Sequence, residues 1–209
     1  EAVIQAAKET IDINYRDAYA HNFNVNVQRQ LGSLYMVEVA YAGSRGRNLP
    51  LKGDPNQAVA RLGTTNSDVN RPYIGVSPAL RTVGMTFSDG FVDYNGLLVK
   101  FQRRYANNFS TLTAYTFAKA EDYNSDNDGT VTLANVYNPE YDRGPAQYDV
   151  RHTLSSTVIY ELPWAREKLY GGWQVNGALY VRTGLPVNIT TTQSVLSTTV
   201  GTTARPNQT

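Results

Sequence analysis

The sequence has no cysteine, only two histidines and no long apolar run. The lack of cysteine excludes disulfides, thiolate catalysis and zinc sites built on cysteine. No stretch approaches the roughly 18 apolar residues in a row that mark a membrane-spanning helix. The net charge is +1 and the basic residues are scattered, so we expect no nucleic-acid partner. His21 and His152 stand in no catalytic motif, and we predict neither an enzyme nor a cofactor.

The sequence is instead rich in stretches that alternate in polarity. In residues 19–31, Phe23, Val25 and Val27 alternate with asparagines and a glutamine. Successive side chains of a strand point to opposite faces, so such a run forms a strand with one apolar and one amide face.

Strands of this kind occur in three pairs, each joined by a short turn. The pairs are 19–31 with 35–42, 94–105 with 109–119, and 150–162 with 173–182. Polar segments at 44–90 and 121–147 separate the pairs, and connections this long are unusual inside a compact soluble domain. Outer-membrane barrels have short periplasmic turns and long extracellular loops. We therefore predict an all-β, antiparallel transmembrane β-barrel segment of about six strands and three hairpins, in the bacterial outer membrane.

Six strands are fewer than the eight of the smallest single-chain bacterial barrels, so we expect residues 1–209 to be a partial barrel domain. In residues 109–119 the polarity is ambiguous, and we assign the side of Phe109, Tyr115 and Phe117 to lipid. Arg29 and Arg103 share the lipid-facing parity, but they lie near the short turns, where their guanidinium groups can reach headgroups.

The opposite parity predicts the side chains that face the barrel lumen. We expect these residues to contact a plug or to line a solute path: Asn22, Asn24, Asn26, Gln28, Lys100, Gln102, Arg151, Thr153, Gln174, Asn176 and Arg182. Many aromatic residues stand at predicted strand ends, as the girdles at the two membrane interfaces require, although tyrosine is also a good strand former. They are Tyr19, Tyr35, Tyr41, Tyr105, Tyr160 and Trp173.

An acidic stretch in the second long segment partly matches a calcium-binding loop. Asn124, Asp126 and Asp128 stand at every second position before a glycine. Asn135 occupies the place of the bidentate glutamate, and no helices flank the stretch. A solvated loop is the simpler interpretation, and we predict no metal site beyond this candidate.

Several separated motifs occur along the chain. They include Gln-Arg-Gln-Leu-Gly at 28–32, Val-Ala-Tyr-Ala-Gly-Ser-Arg-Gly-Arg-Asn-Leu-Pro at 39–50, Tyr-Asn-Gly-Leu-Leu-Val-Lys-Phe-Gln-Arg-Arg at 94–104, Asp-Arg-Gly-Pro at 142–145 and Gly-Gly-Trp-Gln-Val-Asn-Gly at 171–177. Together they resemble the Oar-like group of TonB-dependent receptors. The resemblance implies a barrel of about 22 strands with an N-terminal plug. This chain would be a late portion of it, without the plug and the final strands.

The resemblance implies a transporter that imports a bulky solute, such as a siderophore, an oligosaccharide or a peptide. Its expected partners are outer-membrane lipid, its own plug, an energy-coupling protein of the TonB type and the unknown solute. Two other interpretations stay open at this point. One is a structural or adhesive barrel that displays its loops, and the other is a soluble extracellular β-sheet protein.

Overall fold

In the parts of the chain that the computed structural model describes, residues 9–59, 68–76, 82–123, 125, 133–164 and 171–187, eight strands form one sheet. The strands are β1 (Glu9–Ile11), β2 (Tyr19–Leu31), β3 (Tyr35–Gly53), β4 (Gly84–Ala106), β5 (Phe109–Asp122), β6 (Gly144–Pro145), β7 (His152–Glu161) and β8 (Gln174–Arg182). Two short 3₁₀ helices, Asp68–Asn70 and Pro139–Asp142, lie between strands. None of the helices in these ranges is long and apolar enough to cross a membrane.

The long strands follow one another in chain order, β2-β3-β4-β5-β7-β8, and every neighbouring pair is antiparallel. The two short strands lie off this path, because β1 pairs in parallel with the start of β4 and β6 pairs with the end of β5. Among the described residues the sheet is not closed, and β2 and β8 are its two edge strands. The topology is therefore that of an incomplete barrel built from three consecutive hairpins.

Left-handed backbone conformations make the short turns. Asn107 and Asn108 have φ values of 51° and 64°, and they join Ala106 to its partner Phe109. This is the two-residue hairpin whose twist matches the twist of the strands, and asparagine tolerates its positive φ angles. Gly32, with φ 63°, opens the turn between β2 and β3. These sequence-predicted turns are confirmed.

The six predicted strands are confirmed, but several of the predicted boundaries are wrong. Residues 44–53 continue β3, and residues 84–93 belong to β4, although both lie in the segment predicted to be a connection. Residues 150–151, in turn, precede β7 rather than opening it. The extension of β3 and β4 lacks an apolar face, because beyond the membrane both faces of a strand can meet water or other protein. The alternation of polarity that predicts a strand is therefore absent from residues 44–53 and 84–93.

The buried residues lie almost entirely at the end of the sheet that carries the long connections. Residues 54–59, 68–76 and 133–149 pack together there, and we call these segments the outer layer. The buried hydrophobic side chains of the described residues are Leu51, Ala58, Ala118, Ala120, Leu133 and Ala146. Along the rest of the sheet the large apolar side chains stay exposed, as expected of strands whose apolar face contacts lipid.

Buried polar groups join the two long connections within the outer layer. Gln57 donates from Nε2 to the carbonyl of Ala134 at 2.7 Å, and its Oε1 accepts from the amide of Val136 at 2.8 Å. The Arg71 guanidinium lies 3.3 Å from the Asp54 carboxylate, with side chains 3% and 12% exposed. Because a buried charge is stable only when it is paired and hydrogen-bonded, this pair fixes the fold of the first connection.

Candidate functional site

The register of the strands divides the sheet into two faces, since directly paired residues of antiparallel strands point to the same side. Asn26 pairs with Ala40, Gln28 with Glu38, and Glu38 with Lys100. Following the pairings across the sheet places ten of the predicted lumen residues on this one face. They are Asn22, Asn24, Asn26, Gln28, Lys100, Gln102, Thr153, Gln174, Asn176 and Arg182.

We call this side the polar face. It is not uniformly polar, because Leu98, Leu112 and Ile159 also belong to it. Arg151, the eleventh predicted residue, lies just outside β7, where it donates to the buried carboxylate of Asp149 at 2.9 Å. The predicted residues are spread across the sheet and do not converge on one point. That the polar face lines a lumen stays a prediction.

The other side is the apolar face, and it includes the ambiguous strand. Tyr115 pairs with Val99 and Phe117 with Leu97, so the aromatic side of β5 lies with the valines and leucines of β4. These side chains are largely exposed; Val25 and Val27, for example, are 64% and 65% accessible. A continuous exposed apolar sheet face of this kind requires a nonaqueous partner.

Aromatic contacts mark both ends of the apolar face. Near the short turns, Tyr35 stacks on Phe101 with ring centroids 6.1 Å apart, and the Arg103 guanidinium lies 4.8 Å from the Phe109 ring centre. Arg103 also donates to the Phe109 carbonyl at 3.1 Å. The structure therefore places this arginine at the end of the apolar face, as its sequence position predicts. At the opposite end Tyr41 donates to Asn95 at 2.7 Å.

Beyond Asn95 the same face becomes charged. Arg47 lies 2.6 Å from Asp93, Arg45 lies 3.7 Å from the same carboxylate, and Lys119 lies 2.5 Å from Glu121. These side chains stand on the parity that is apolar nearer the turns. The change from apolar to ionic along one face defines the outer boundary of a membrane-spanning zone.

Within that zone the polar face carries an ion pair between Glu38 and Lys100, and Asn26 is hydrogen-bonded to it. Lys100 lies 3.1 Å from Glu38, whose other carboxylate oxygen accepts from Asn26 at 2.7 Å. The three groups belong to three adjacent strands and leave no net charge between them. Their arrangement gives this part of the polar face a neutral, hydrogen-bonding surface.

A pocket of about 250 Å³ opens on the polar face where the sheet meets the outer layer. Its lining residues come from β4, β5, β7 and the segment before β7: Tyr94, Thr116, Ala118, Ala120, Tyr148, Asp149, Val150 and Thr153. Thr153 is the one predicted lumen residue that lines it. The sequence pattern singles out neither tyrosine for a site, because Tyr94 opens a predicted strand and Tyr148 stands between the predicted connection 121–147 and the strand predicted from residue 150.

Small side chains and buried hydrogen bonds shape this pocket. Ala118 and Ala120 form its floor, and the amide of Ala120 donates to Asp149 Oδ1 at 2.8 Å. The Tyr94 side chain lies over Gly96, where any Cβ would come within 2.5 Å of its hydroxyl. Burial, with a smaller effect of Asp122, raises the pKa of Tyr148, so its hydroxyl stays protonated.

The histidines lie on the apolar face rather than in a catalytic cluster. His152 hydrogen-bonds through Nδ1 with the Tyr115 hydroxyl at 2.7 Å and packs beside Phe117. His21 makes an edge contact with Tyr19. No metal-binding cluster of acidic residues and histidines occurs among the residues that the structure describes. The candidate calcium ligands Asn124, Asp126 and Asp128 lie outside those residues.

An open antiparallel sheet of hairpins, with one exposed apolar face that ends in an ionic band, defines a barrel protein of the outer membrane. The sequence profile of the family described as "Outer membrane beta barrel domain" matches residues 2–209. The chain therefore belongs to this family, and the bacterial outer membrane is its location. No curated protein and no solved structure matches the chain. With the family established, the alternative of a soluble β-sheet protein is set aside.

Proposed function

We propose that the chain is a segment of a TonB-dependent outer-membrane transporter that imports a bulky solute. The motifs that resemble Oar-like receptors support this proposal, as does the division of the sheet into two faces. The mechanism is gating rather than bond-making: a plug fills the barrel, and energy coupled from the inner membrane displaces it.

The observation that carries the proposal is the polar face. Hydrogen-bonding side chains occur on all six long strands, from Gln102 and Gln174 near the turns to the pocket below the outer layer. A barrel that holds a plug needs hydrogen-bonding partners along its inner wall, and the polar face provides them. In a transporter these side chains would form hydrogen bonds with the polar surface of a plug. When the plug moves, they would form hydrogen bonds with a passing solute instead.

Within this mechanism the amides of β2 would hold the plug by hydrogen bonds that can be exchanged for water. Asn22, Asn24 and Asn26 lie two residues apart, so their side chains repeat about every 7 Å along the strand. The Glu38–Lys100 pair keeps the adjoining surface neutral. Neutral, exchangeable contacts allow a plug to be held and released without the separation of buried charges.

The experiment is a comparison of solute accumulation in cells that contain or lack the intact protein. Small molecules of the periplasm are profiled by mass spectrometry, with the energy-coupling system intact or deleted. We expect at least one solute class to accumulate only when both the protein and the coupling system are present. No such solute, in cells that assemble the protein correctly, would refute the proposal.

A second candidate function is adhesion, and the outer layer favours it. This layer has a buried network that joins residues 77 positions apart, as in the bond from Gln57 to Ala134. An ordered extracellular surface of this kind suits a binding platform. Loss of attachment to surfaces, with no change in periplasmic solutes, would identify the protein as an adhesin instead.

A further inference from the structure

The pocket on the polar face has the composition of a subsite for one ring of a neutral solute. Its volume of about 250 Å³ is below the roughly 300–1,000 Å³ of pockets that enclose a whole small ligand. It therefore has room for one unit of a larger molecule. The inference rests on the proposed transport function.

The charged groups beside the pocket form an ion pair with each other. Both carboxylate oxygens of Asp149 are engaged, one by the Ala120 amide at 2.8 Å and the other by Arg151 at 2.9 Å. The Asp149 side chain is only 4% exposed. Because the positive charge of Arg151 is compensated by Asp149, the pocket offers no strong attraction to an anionic solute such as a ferric siderophore complex.

The remaining lining combines apolar surface with hydroxyl groups. Tyr94 and Tyr148 contribute aromatic rings, the alanines contribute methyl groups, and Thr116 and Thr153 contribute a hydroxyl and a methyl group each. Tyrosine presents an apolar ring together with a polar hydroxyl, which suits ligands that are themselves amphipathic rings. A sugar ring has an apolar face of C–H groups and a rim of hydroxyls, and it matches both parts of this lining.

We propose that this pocket binds one sugar ring of a neutral oligosaccharide as it passes from the outer layer into the barrel. Tyr148 is 54% exposed and lies in the segment before β7, so its ring can pack on the sugar at the entrance. Tyr94 lies along β4 and continues the contact inward. The family resemblance implies a siderophore, an oligosaccharide or a peptide as the solute, and the lining of this pocket favours the oligosaccharide.

The test is calorimetric titration of the intact protein, purified from outer membranes, with neutral hexose and pentose oligosaccharides. N-acetyl-tyrosine amide serves as an uncharged aromatic probe. We expect saturable binding of at least one saccharide, weakened about tenfold or more by Tyr148→Ala. Tyr148→Phe, which keeps the ring, should bind more tightly than Tyr148→Ala.

Tyr180→Ala is the matched control, because Tyr180 is an exposed tyrosine (64%) on the same face that does not line the pocket. Equal weakening by both alanine variants would refute the site, and so would the absence of saccharide binding. Binding of the aromatic probe alone would refute the sugar assignment. Energy-dependent uptake of another solute would then leave the transport proposal standing, whereas no energy-dependent uptake at all would refute that proposal itself.

Discussion

The buried ion pair of the outer layer provides the sharpest prediction about stability. Arg71→Met removes the guanidinium that lies 3.3 Å from the Asp54 carboxylate and donates to the Asn56 carbonyl at 3.0 Å. Breaking a buried pair on one side costs about 3–5 kcal/mol, because the remaining charge is left uncompensated. Asp54 Oδ1 keeps two backbone donors, Asn56 and Val83 at 2.9 and 3.1 Å. We therefore expect the lower end of that range.

Hydrogen exchange measured by mass spectrometry reports this loss locally, in the intact protein in detergent. A cost of about 3 kcal/mol, at 1.4 kcal/mol for each factor of ten, predicts roughly hundredfold faster exchange. The informative amides are those of Ala134 and Val136, which donate to Asp142 and Gln57 across the outer layer. Exchange in the middle of the long strands should not change.

Lys52→Met is the control, because its ion pair with Glu9 is 3.5 Å long and the two side chains are 36% and 77% exposed. Exposed pairs contribute about 0–1 kcal/mol, so this variant should accelerate exchange by less than about fivefold. Unchanged exchange in Arg71→Met, or equal acceleration in both variants, would refute the reasoning about the buried pair.

Three further predictions concern the strands and one tyrosine. Gly90→Ala places a Cβ 2.6 Å from a backbone oxygen of the neighbouring strand, and it should lower the free energy of unfolding in urea by about 1–3 kcal/mol. Gly144→Ala meets no atom within 4 Å and should not lower it measurably. Lys100→Glu should destabilise the barrel through repulsion with Glu38, and Glu38→Lys combined with Lys100→Glu should restore its urea midpoint; no restoration would contradict the pairing. Burial, assisted by the hydrogen bond that the Tyr123 hydroxyl donates to the Glu140 carboxylate, raises the pKa of Tyr123 from 10.0 to about 12. The protonated Tyr123 hydroxyl therefore stabilises the fold fully below pH 10, and this stabilisation is lost as the pH rises towards 12. The phenolate absorbance of the wild type, after subtraction of that of Tyr123→Phe, should titrate near pH 12 rather than pH 10.

The strands within the membrane zone could be predicted because each has to present one face to lipid. That constraint imposes alternation on Phe23, Val25 and Val27, and the register of the sheet places even Tyr115 and Phe117, on the ambiguous strand, with the apolar set. The turn at Asn107 could be predicted for a local reason as well, since its positive φ favours asparagine or glycine.

The outer layer could not be predicted from local patterns. Asn56, Gln57 and Arg71 are polar residues in a polar segment, which typically indicates solvent exposure, yet all three are buried. Their burial depends on partners far along the chain, such as the Gln57 contacts with residues 134 and 136. The pocket was missed for the same reason, because Tyr94 and Tyr148 meet only through the pairing of β4, β5 and β7.

Single cysteines along β2 test which face of the sheet contacts lipid and which lines the barrel lumen. Residues 1–209 contain no cysteine, so Asn24→Cys, Val25→Cys, Asn26→Cys and Val27→Cys each give one labelling site in this part of the chain. Any cysteine elsewhere in the intact protein is first replaced by serine. Each site carries a spin label, and the protein is placed in lipid vesicles. We measure how often each label collides with oxygen, which concentrates in lipid, and with a nickel chelate, which stays in water. We expect high oxygen accessibility at 25 and 27 and low oxygen accessibility at 24 and 26. High oxygen accessibility at 24 and 26 instead, or no alternation, would contradict this assignment of the faces.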